Sequence, residues 1–580
     1  MEKIKKIINN KIQYIIIAIV AVAISFPLFQ NGISTGHDGD FHISRTIGTI
    51  EQINNSESPF VISRFSRNLG YAWNLFYPPI TTIINVMLAF ITGEFIVSMK
   101  IFIFITIIFS GITMYKLVYD ISKNRLYAII SSIIYILVPY RILNTYIRLA
   151  VGEMLSMLYI PIIFRGIYHL LKGNTKKHYL FILGSIALIL THNISTMLCA
   201  ILGIIYVLIN IEKLKDKNIF KTLCISAVII VLSVLFFEVP LLEQKSAAEY
   251  EVFRYGKMYS RESVQSHALS LNQLLVKDGQ GADDQNMFFC LGVPIILGLV
   301  LTILVHKKVP KTLKKEYNIF LIAGLISAFM TTKYFPWNVM PDILLMVQFP
   351  WRILIMAVFC LSIIVGINYG IVINIITEKI KETRYITKTR ATKFIFIIGT
   401  LLAIIYSCTF LREINIKEIG TEHYQEEEII DTVMEVSRYS SYLEYWPQKA
   451  VRNINYILDK KTDVKILEGS TEIENENKNN GKLGFEIHDT TEDTKIELPY
   501  LYYKGYEIKL ETDNNKIEIL ESRESEKGLL ETRISKGCEG KIEVQYKMTT
   551  IHKVCLTISL ITIIGYVCYL IVTSQPKKIS

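Results

Sequence analysis

The stretch STGHDGDFHISRT, residues 34–46, sets His37, Asp38, Asp40 and His42 within six positions and adds Arg45 shortly after. It follows an apolar run of the kind that crosses a bilayer, and ionisable groups at a membrane face are costly to hold unless they are used. Two chemistries suit these residue types. One carboxylate can accept a proton from a sugar or alcohol hydroxyl while the other positions the acceptor or helps hold a divalent cation, Mg or Mn. Asp38, Asp40, His37 and His42 can also be read together as a metal shell, although a histidine pair at this spacing is a weak signature. On an extended backbone residues two apart face the same way, so Asp38 and Asp40 would converge on one point. The plainer alternative is that one of them caps a helix. Ile43, Ile47, Ile50 and Ile53 do trace one apolar helical stripe, suited to lying along a membrane surface.

Further ionisable residues stand where apolar runs end. PYRILNTYIRLAVGE (139–153) carries Arg141, Arg148 and Glu153; QFPWR (348–352) carries Gln348, Trp351 and Arg352; THNIS places His192 at a break between two apolar runs. Arginine bonds phosphate in a bidentate manner, so Arg45, Arg148 and Arg352, with Glu153, His192 and Gln348, are candidates for holding a phosphate or an anionic lipid headgroup. The alternative for each arginine is interfacial snorkelling, and for Trp351 the aromatic belt. NLGYAWNLFYPP (68–79) offers rings that would stack on sugar faces or sit among headgroups; its composition leaves both readings open.

The elements that must position these residues are transmembrane helices. The chain has 580 residues, is 51% hydrophobic and has a mean hydropathy of +0.36, values that a soluble protein of this length does not reach. Its formal charge of +10 does not mark nucleic-acid binding, because the lysines are scattered in short clusters between apolar runs, as the positive-inside rule requires. Twelve runs qualify as spans: 13–30, 95–118, 124–140, 152–171, 178–191, 194–211, 219–238, 288–305, 317–332, 350–376, 393–411 and 551–572. The basic start is read as an uncleaved first span rather than a signal peptide. Placing the lysine-rich connections inside leaves both termini cytoplasmic and puts loops 31–94, 141–151, 239–287, 333–349 and the polar segment 412–550 outside. Residues 178–211 then form a hairpin turning at 191–193, and 79–94 rests at the outer interface without crossing.

The polar segment opens on an acidic run, HYQEEEIID, with a helical lead-in, and continues in alternating pieces such as KIEILES and KIEVQYK between turn residues, the pattern of antiparallel strands. Its lone cysteine, Cys538, has no partner there, and most of the other seven lie in apolar runs, where a thiol acts as a small hydrophobe. The expected architecture is therefore an α-helical polytopic membrane protein of about twelve spans. A transmembrane module covers 1–411, with loop 31–94 carrying a juxtamembrane helix. An extracytoplasmic β-rich domain covers 412–550, and a final span and cytoplasmic tail cover 551–580.

The ordered set GHDGDFHISR, NLGYAWNLFYPP, YIRLAVGE, LTHNIS and QFPWR resembles a bacterial family of multi-pass membrane proteins labelled "6-pyruvoyl-tetrahydropterin synthase-related". LPYLYYKGYEI (498–508) is similar, more distantly, to the membrane proteins that glycosylate lipoteichoic acid. Pterin chemistry does not follow from the label, since no zinc triad of the soluble pterin synthases is present. The resemblance implies instead the GT-C superfamily of integral membrane glycosyltransferases, which use polyprenyl-phosphate sugars and carry an aspartate motif in the first outer loop. Carried onto this chain, it makes Asp38, then Asp40, the general base or metal-facing carboxylate. Arg352, Arg148 and His192 become contacts to the donor phosphate. The expectation is an inverting transferase in the plasma membrane, moving a sugar to an envelope glycan or glycolipid. The rival expectation is a lipid-linked substrate transporter or a non-catalytic envelope assembly factor. A transporter would carry ionisable residues near the bilayer midplane, whereas here they gather on one face.

Overall fold

The structure, a computed structural model, describes residues 2–574 except 35, 259, 277–286, 384–385, 417–422, 425–442, 460–462, 480, 513 and 515. Most of the acidic run after Tyr424 thus lies outside the described residues. The chain forms two compact units, one of Met1–Asp40, Met87–Ile230 and Tyr259–Glu426, the other of Phe41–Val86, Val231–Met258 and Glu427–Ser580.

The first unit is helical. Among the described residues six helices are long and apolar enough to cross a membrane: Phe95–Ser122, Val151–Leu171, Lys217–Ala247, Pro350–Glu378, Lys388–Leu411 and Thr550–Thr573. A seventh span results if Arg125–Leu137 and Pro139–Ile147 are one broken crossing, bent by 46°. The break is local chemistry: Pro139 has no N–H to give, and Val138 before it is extended. Of the five remaining expected runs, the first lies in the helix Glu2–Ile24, whose apolar part is Lys11–Ile24, and the other four hold helices of 17 residues or fewer. His178–Ile189 has 12 residues, Val293–Val305 has 13, and Asn193–Ile209 and Lys314–Met330 have 17 each. Six or seven crossings therefore meet the length requirement where the sequence suggested twelve, because turns and caps take residues from both ends of an apolar run. Large apolar side chains such as Ile303 (85% exposed) and Val572 (71%) stand on helix surfaces, which is tolerable in lipid. The chain is a membrane protein.

Leu354–Glu378 is the exception, apolar and buried on nearly all sides. Its Gly366 lies so close to the helix Arg125–Leu137 that a Cβ would fall 2.5 Å from the Ser131 nitrogen, so only glycine permits this crossing. Within the same unit a second ionic cluster forms at the far end of Val151–Leu171 from Glu153. Asp120 accepts from Arg165 Nε at 2.6 Å and lies 2.7 Å from His169 Nε2, with Lys177 at 3.8 Å. Ionisable residues are thus held towards both ends of this 21-residue helix, Glu153 and His169 being roughly 24 Å apart at 1.5 Å per residue, rather than on one face.

The second unit carries the β structure. Its strands are β1 (Lys465–Glu468), β2 (Glu472–Asn479), β3 (Lys482–His488), β4 (Thr494–Leu501), β5 (Tyr506–Thr512), β6 (Ile517–Leu520), β7 (Arg523–Glu524), β8 (Leu529–Ile534) and β9 (Gly540–Tyr546). They make two antiparallel sheets, ordered β1-β4-β8-β7 and β2-β3-β9-β5-β6. Alternation decides the faces: Leu483, Phe485 and Ile487 of β3 are buried, as are Ile542, Val544 and Tyr546 of β9. Helix Gly39–Asn54 buries Ile43 and Ile47 but leaves Ile53 42% exposed. Its stripe therefore packs on protein at one end instead of lying wholly on a membrane surface. Trp446 Nε1 donates to Ser66 Oγ at 3.0 Å, and Tyr250 Oη to the Tyr502 carbonyl at 3.1 Å, tying the first loop and the 231–258 segment to the β region.

Candidate functional site

Four segments of the helical unit meet around one arginine. Arg148 donates through Nη2 to Asp38 Oδ2 at 2.7 Å, and through Nη1 to Glu153 Oε1 and Asn144 Oδ1, both at 2.9 Å. Its guanidinium lies over the Trp351 ring, 4.5 Å from the centroid. Glu153 also accepts from Tyr140 Oη at 2.6 Å and Asn144 Nδ2 at 3.1 Å, and lies 3.6 Å from Arg352 Nε. Arg352 donates to Gln348 Oε1 and lies over Phe349, 4.9 Å from the centroid. Its Nε makes no hydrogen bond among the described residues. Two cations and two carboxylates thus share one site. The inner members are sealed, with side-chain exposures of 4% for Arg148 and 3% for Glu153, while Arg352 keeps 15% and Asp38 39%. Each buried charge is paired, the condition under which burial is tolerable.

The backbone explains the placement. Residues Leu143–Ile147 form a π-helical turn, and the Arg148 N–H reaches back five residues to the Leu143 carbonyl. Such turns recur at functional sites because they rotate the next side chain off the regular helical face. Leu149 follows with φ +50°, and Gln348, ahead of the other arginine, has φ +65°. A bulky residue in the left-handed region costs of order 1–3 kcal/mol, so both turns are held by their surroundings. The aspartate loop is then laid against this turn: His37 N–H donates to the Ile147 carbonyl at 3.1 Å and Asp38 N–H to the Arg148 carbonyl at 2.7 Å. Gly36 makes the approach possible, since with φ +57° a Cβ there would stand 2.5 Å from the Ile147 oxygen.

The other candidates are placed differently. Asp40 is half-buried in the first turn of Gly39–Asn54, where a carboxylate suits the helix N-terminus. The expectation that Asp38 and Asp40 converge assumed an extended backbone. Helix begins at Gly39, so Asp40 lies inside the helix and Asp38 in the turn before it, and the two do not share an extended stretch. His192 caps Asn193–Ile209: its Nδ1 accepts from Ser195 N–H at 3.2 Å, which leaves the proton on Nε2. Burial pulls its pKa down to about 4, opposed by Glu153 and Asp38 and assisted by Arg352 and Arg148, so the ring is a neutral hydrogen-bond donor near neutral pH. Arg45 belongs to the second unit. It is fully buried and donates to Asn74 Oδ1 at 2.7 Å, the Tyr77 carbonyl at 2.8 Å and the Pro78 carbonyl at 3.1 Å, a structural brace for the 73–78 turn.

The four residues proposed as a metal shell, His37, Asp38, Asp40 and His42, are not gathered into one such group among the described residues. His37 is exposed, and the His42 ring packs edge-on against Phe41 and Tyr77. Among the described residues no group of three or more His, Cys, Asp or Glu side chains is placed to hold a metal ion. Sequence reading missed Tyr140 and Asn144, although both stand at four-residue intervals before Arg148, a visible sign of a shared face.

No family model matches the chain. An uncharacterized protein of Lactococcus lactis subsp. cremoris (strain MG1363) is 24% identical over 345 residues, a match that covers 56% of this chain and 54% of that protein. The chain thus spans about half the length of the curated relative it matches. Among solved structures, the crystal structure of ArnT from Cupriavidus metallidurans bound to undecaprenyl phosphate is similar at a TM-score of 0.40 and 11% identity, covering 74% of this chain and 76% of that one. None of these comparisons carries the pterin-related family name.

Proposed function

We propose that the protein is an integral membrane glycosyltransferase of GT-C type. It moves a sugar from a polyprenyl-phosphate donor to a glycan or glycolipid of the cell envelope at the outer membrane face. The observation that carries the reading is the polarity of the ionic site: a partly exposed carboxylate, Asp38, held by an arginine whose remaining charge is balanced deeper in by Glu153. A base must meet its substrate, and a balanced inner layer keeps it in place without leaving a net charge buried.

In this reaction the acceptor hydroxyl gives its proton to Asp38 as its oxygen attacks the anomeric carbon. The bond from that carbon to the donor phosphate oxygen breaks, and the phosphate leaves with the electron pair. Arg352, whose Nε has no hydrogen-bond partner among the described residues, stabilises the departing charge, and His192 donates from its neutral Nε2. Attack opposite the leaving phosphate inverts the anomeric centre. Arg148 orients Asp38, and no step is routed through a cation.

The test is transfer of radiolabelled sugar from synthetic undecaprenyl-phosphate hexoses, supplied in turn, into the envelope fraction of membranes containing the protein. Asp38→Asn should lower the rate by at least ~100-fold, the low end of what a general base contributes, with membrane content unchanged. Undiminished transfer by that variant removes Asp38 from the chemistry, and no transfer from any donor removes the enzyme reading.

A further inference from the structure

Two cavities of the second unit adjoin and share Lys482 and Gln545 in their walls. The larger, about 560 Å³, lies over the strands β2, β3 and β9 and is walled by Asn475, Asn477, Asn479, Glu486 and Glu543 among others. The smaller, about 210 Å³, is bounded by Gln52, Glu57 and Ser63 of the first loop and by Tyr500, Tyr506 and Tyr546. From the β2 asparagines to the tyrosines they make one polar groove ending against aromatic rings.

Three features of the groove are not demanded by the fold. Gly484 sits mid-strand in β3, between Asn477 of β2 and Glu543 of β9. Its backbone is not left-handed, and a Cβ would find its nearest neighbour, the Ile542 oxygen, at 4.0 Å. Any small side chain would fit there, so glycine's effect is a dent in the sheet face, the mark of close approach by something else. Next, β2 bulges between Glu474 and Asn477, with Asn475 at φ +53° donating to Glu486 Oε2 at 2.7 Å, which turns its amides toward the cavity side of the sheet. Finally, three largely buried tyrosines cluster at the smaller cavity, Tyr500 tilted against Tyr506 at 4.9 Å and Tyr506 edge-to-face with Tyr546 at 5.5 Å. Beside them Ser63 donates to Gln52 Oε1 at 2.9 Å and Glu57 accepts from the Gly481 N–H at 2.9 Å.

We infer that this groove binds a neutral oligosaccharide chain. Amides and carboxylates supply paired donors and acceptors for hydroxyl groups, and the parts of the tyrosine rings that line the smaller cavity supply apolar contact for sugar C–H groups. The charges argue against an anionic polymer: Lys482 and Lys541 are offset by Glu57, Glu486 and Glu543, and Lys541 is paired with Glu543 at 3.0 Å. A peptide added as a strand would need a regular edge, and β2, the edge strand here, is interrupted by its bulge. That the bound chain is the acceptor of sugar transfer rests on the function proposed above; the groove's chemistry does not.

The experiment is calorimetric titration of the full-length protein in nanodiscs with soluble tetrasaccharides of glucose, galactose and N-acetylglucosamine, with tetragalacturonate and an unstructured decapeptide as the other arms. At least one neutral tetrasaccharide should bind saturably with a dissociation constant below 1 mM, a bound set by the affinities ordinary for such contacts. Gly484→Val, which fills the dent at a position with room for it, and Asn477→Arg, on the exposed wall, should each weaken binding at least ~10-fold, or ~1.4 kcal/mol, with an unchanged melting temperature. Asp38→Asn should bind as the parent does while losing transfer, so failure of the groove and failure of the transferase reading are separately visible. Binding to no neutral saccharide, binding indifferent to both groove variants, or binding of the galacturonate or peptide alone overturns the inference.

Discussion

Glu153 is the residue on which the ionic site balances. It faces Arg148 at 2.9 Å and Arg352 at 3.6 Å, and its second oxygen is taken by Tyr140 and Asn144. Removing its charge leaves two guanidinium groups facing each other with one counter-ion, the partly exposed Asp38. Glu153→Gln should therefore lower stability by about 3–5 kcal/mol, the usual cost of stranding a buried charge. Asp38→Asn removes a pair open to water and should cost about 1 kcal/mol or less. Thermal unfolding of both variants in the same detergent checks the ordering, and equal losses would mean that the site is not layered as described. Arg148, Glu153 and Arg352 were legible in the sequence because charged residues at the ends of apolar runs stand out. Which carboxylate each arginine meets was not, since the partners are as many as 199 positions apart. Arg45 was unreadable for a different reason: its brace runs partly to backbone carbonyls, which every sequence has.

At the level of elements, the aspartate loop is placed by a turn rather than by its own side chains. Gly36→Ala puts a methyl group 2.5 Å from the Ile147 oxygen in a left-handed backbone, so the loop must lift and Asp38 must leave Arg148. Sugar transfer should fall by ~10-fold or more while the protein still inserts, as a displaced base predicts; full activity would show that the loop's contact with 147–148 is dispensable. The cap at His192 has a pH signature. Its folded pKa is near 4 and its unfolded value near 6.5, so between these the unfolded chain binds the extra proton and stability falls as pH drops through that window. Asn is a good cap without a titrating ring, so His192→Asn should flatten this part of the stability profile relative to the parent and match its slope above pH 7. Identical profiles would place the histidine in water. Helix Gly39–Asn54 was legible from its isoleucine spacing, and the strands from their alternation. The start at Gly39 was one of the two capping alternatives the aspartates offered, and the π turn was not legible, because it follows from tertiary contacts rather than from a local pattern.

For the whole molecule, composition foretold a membrane protein with a β region before its last helix, since apolar area and alternation are sums over many residues and survive local error. The number of crossings depends instead on a few residues at each run's ends, and among the described residues the twelve runs yield six helices, or seven, of sufficient length. The assembly of the second unit from Phe41–Val86, Val231–Met258 and Glu427–Ser580 could not be read from local periodicity, because contacts such as Tyr250 to Tyr502 span 252 positions. Sidedness is the remaining whole-molecule property, and the cysteines allow it to be measured. Cys538 stands partly exposed in the β region, whereas Cys224, Cys408 and Cys568 lie on apolar helices, and Cys199, Cys290, Cys360 and Cys555 are buried. A thiol in lipid does not ionise and reacts slowly with a charged maleimide, so Cys538 should dominate labelling in water. If the β region faces outward, as transfer at the outer membrane face requires, a membrane-impermeant maleimide should label intact protoplasts and Cys538→Ser should abolish the signal. Labelling that appears only after the protoplasts are permeabilised would put the β region, and with it the sugar groove, on the cytoplasmic side, where an envelope acceptor could not reach it.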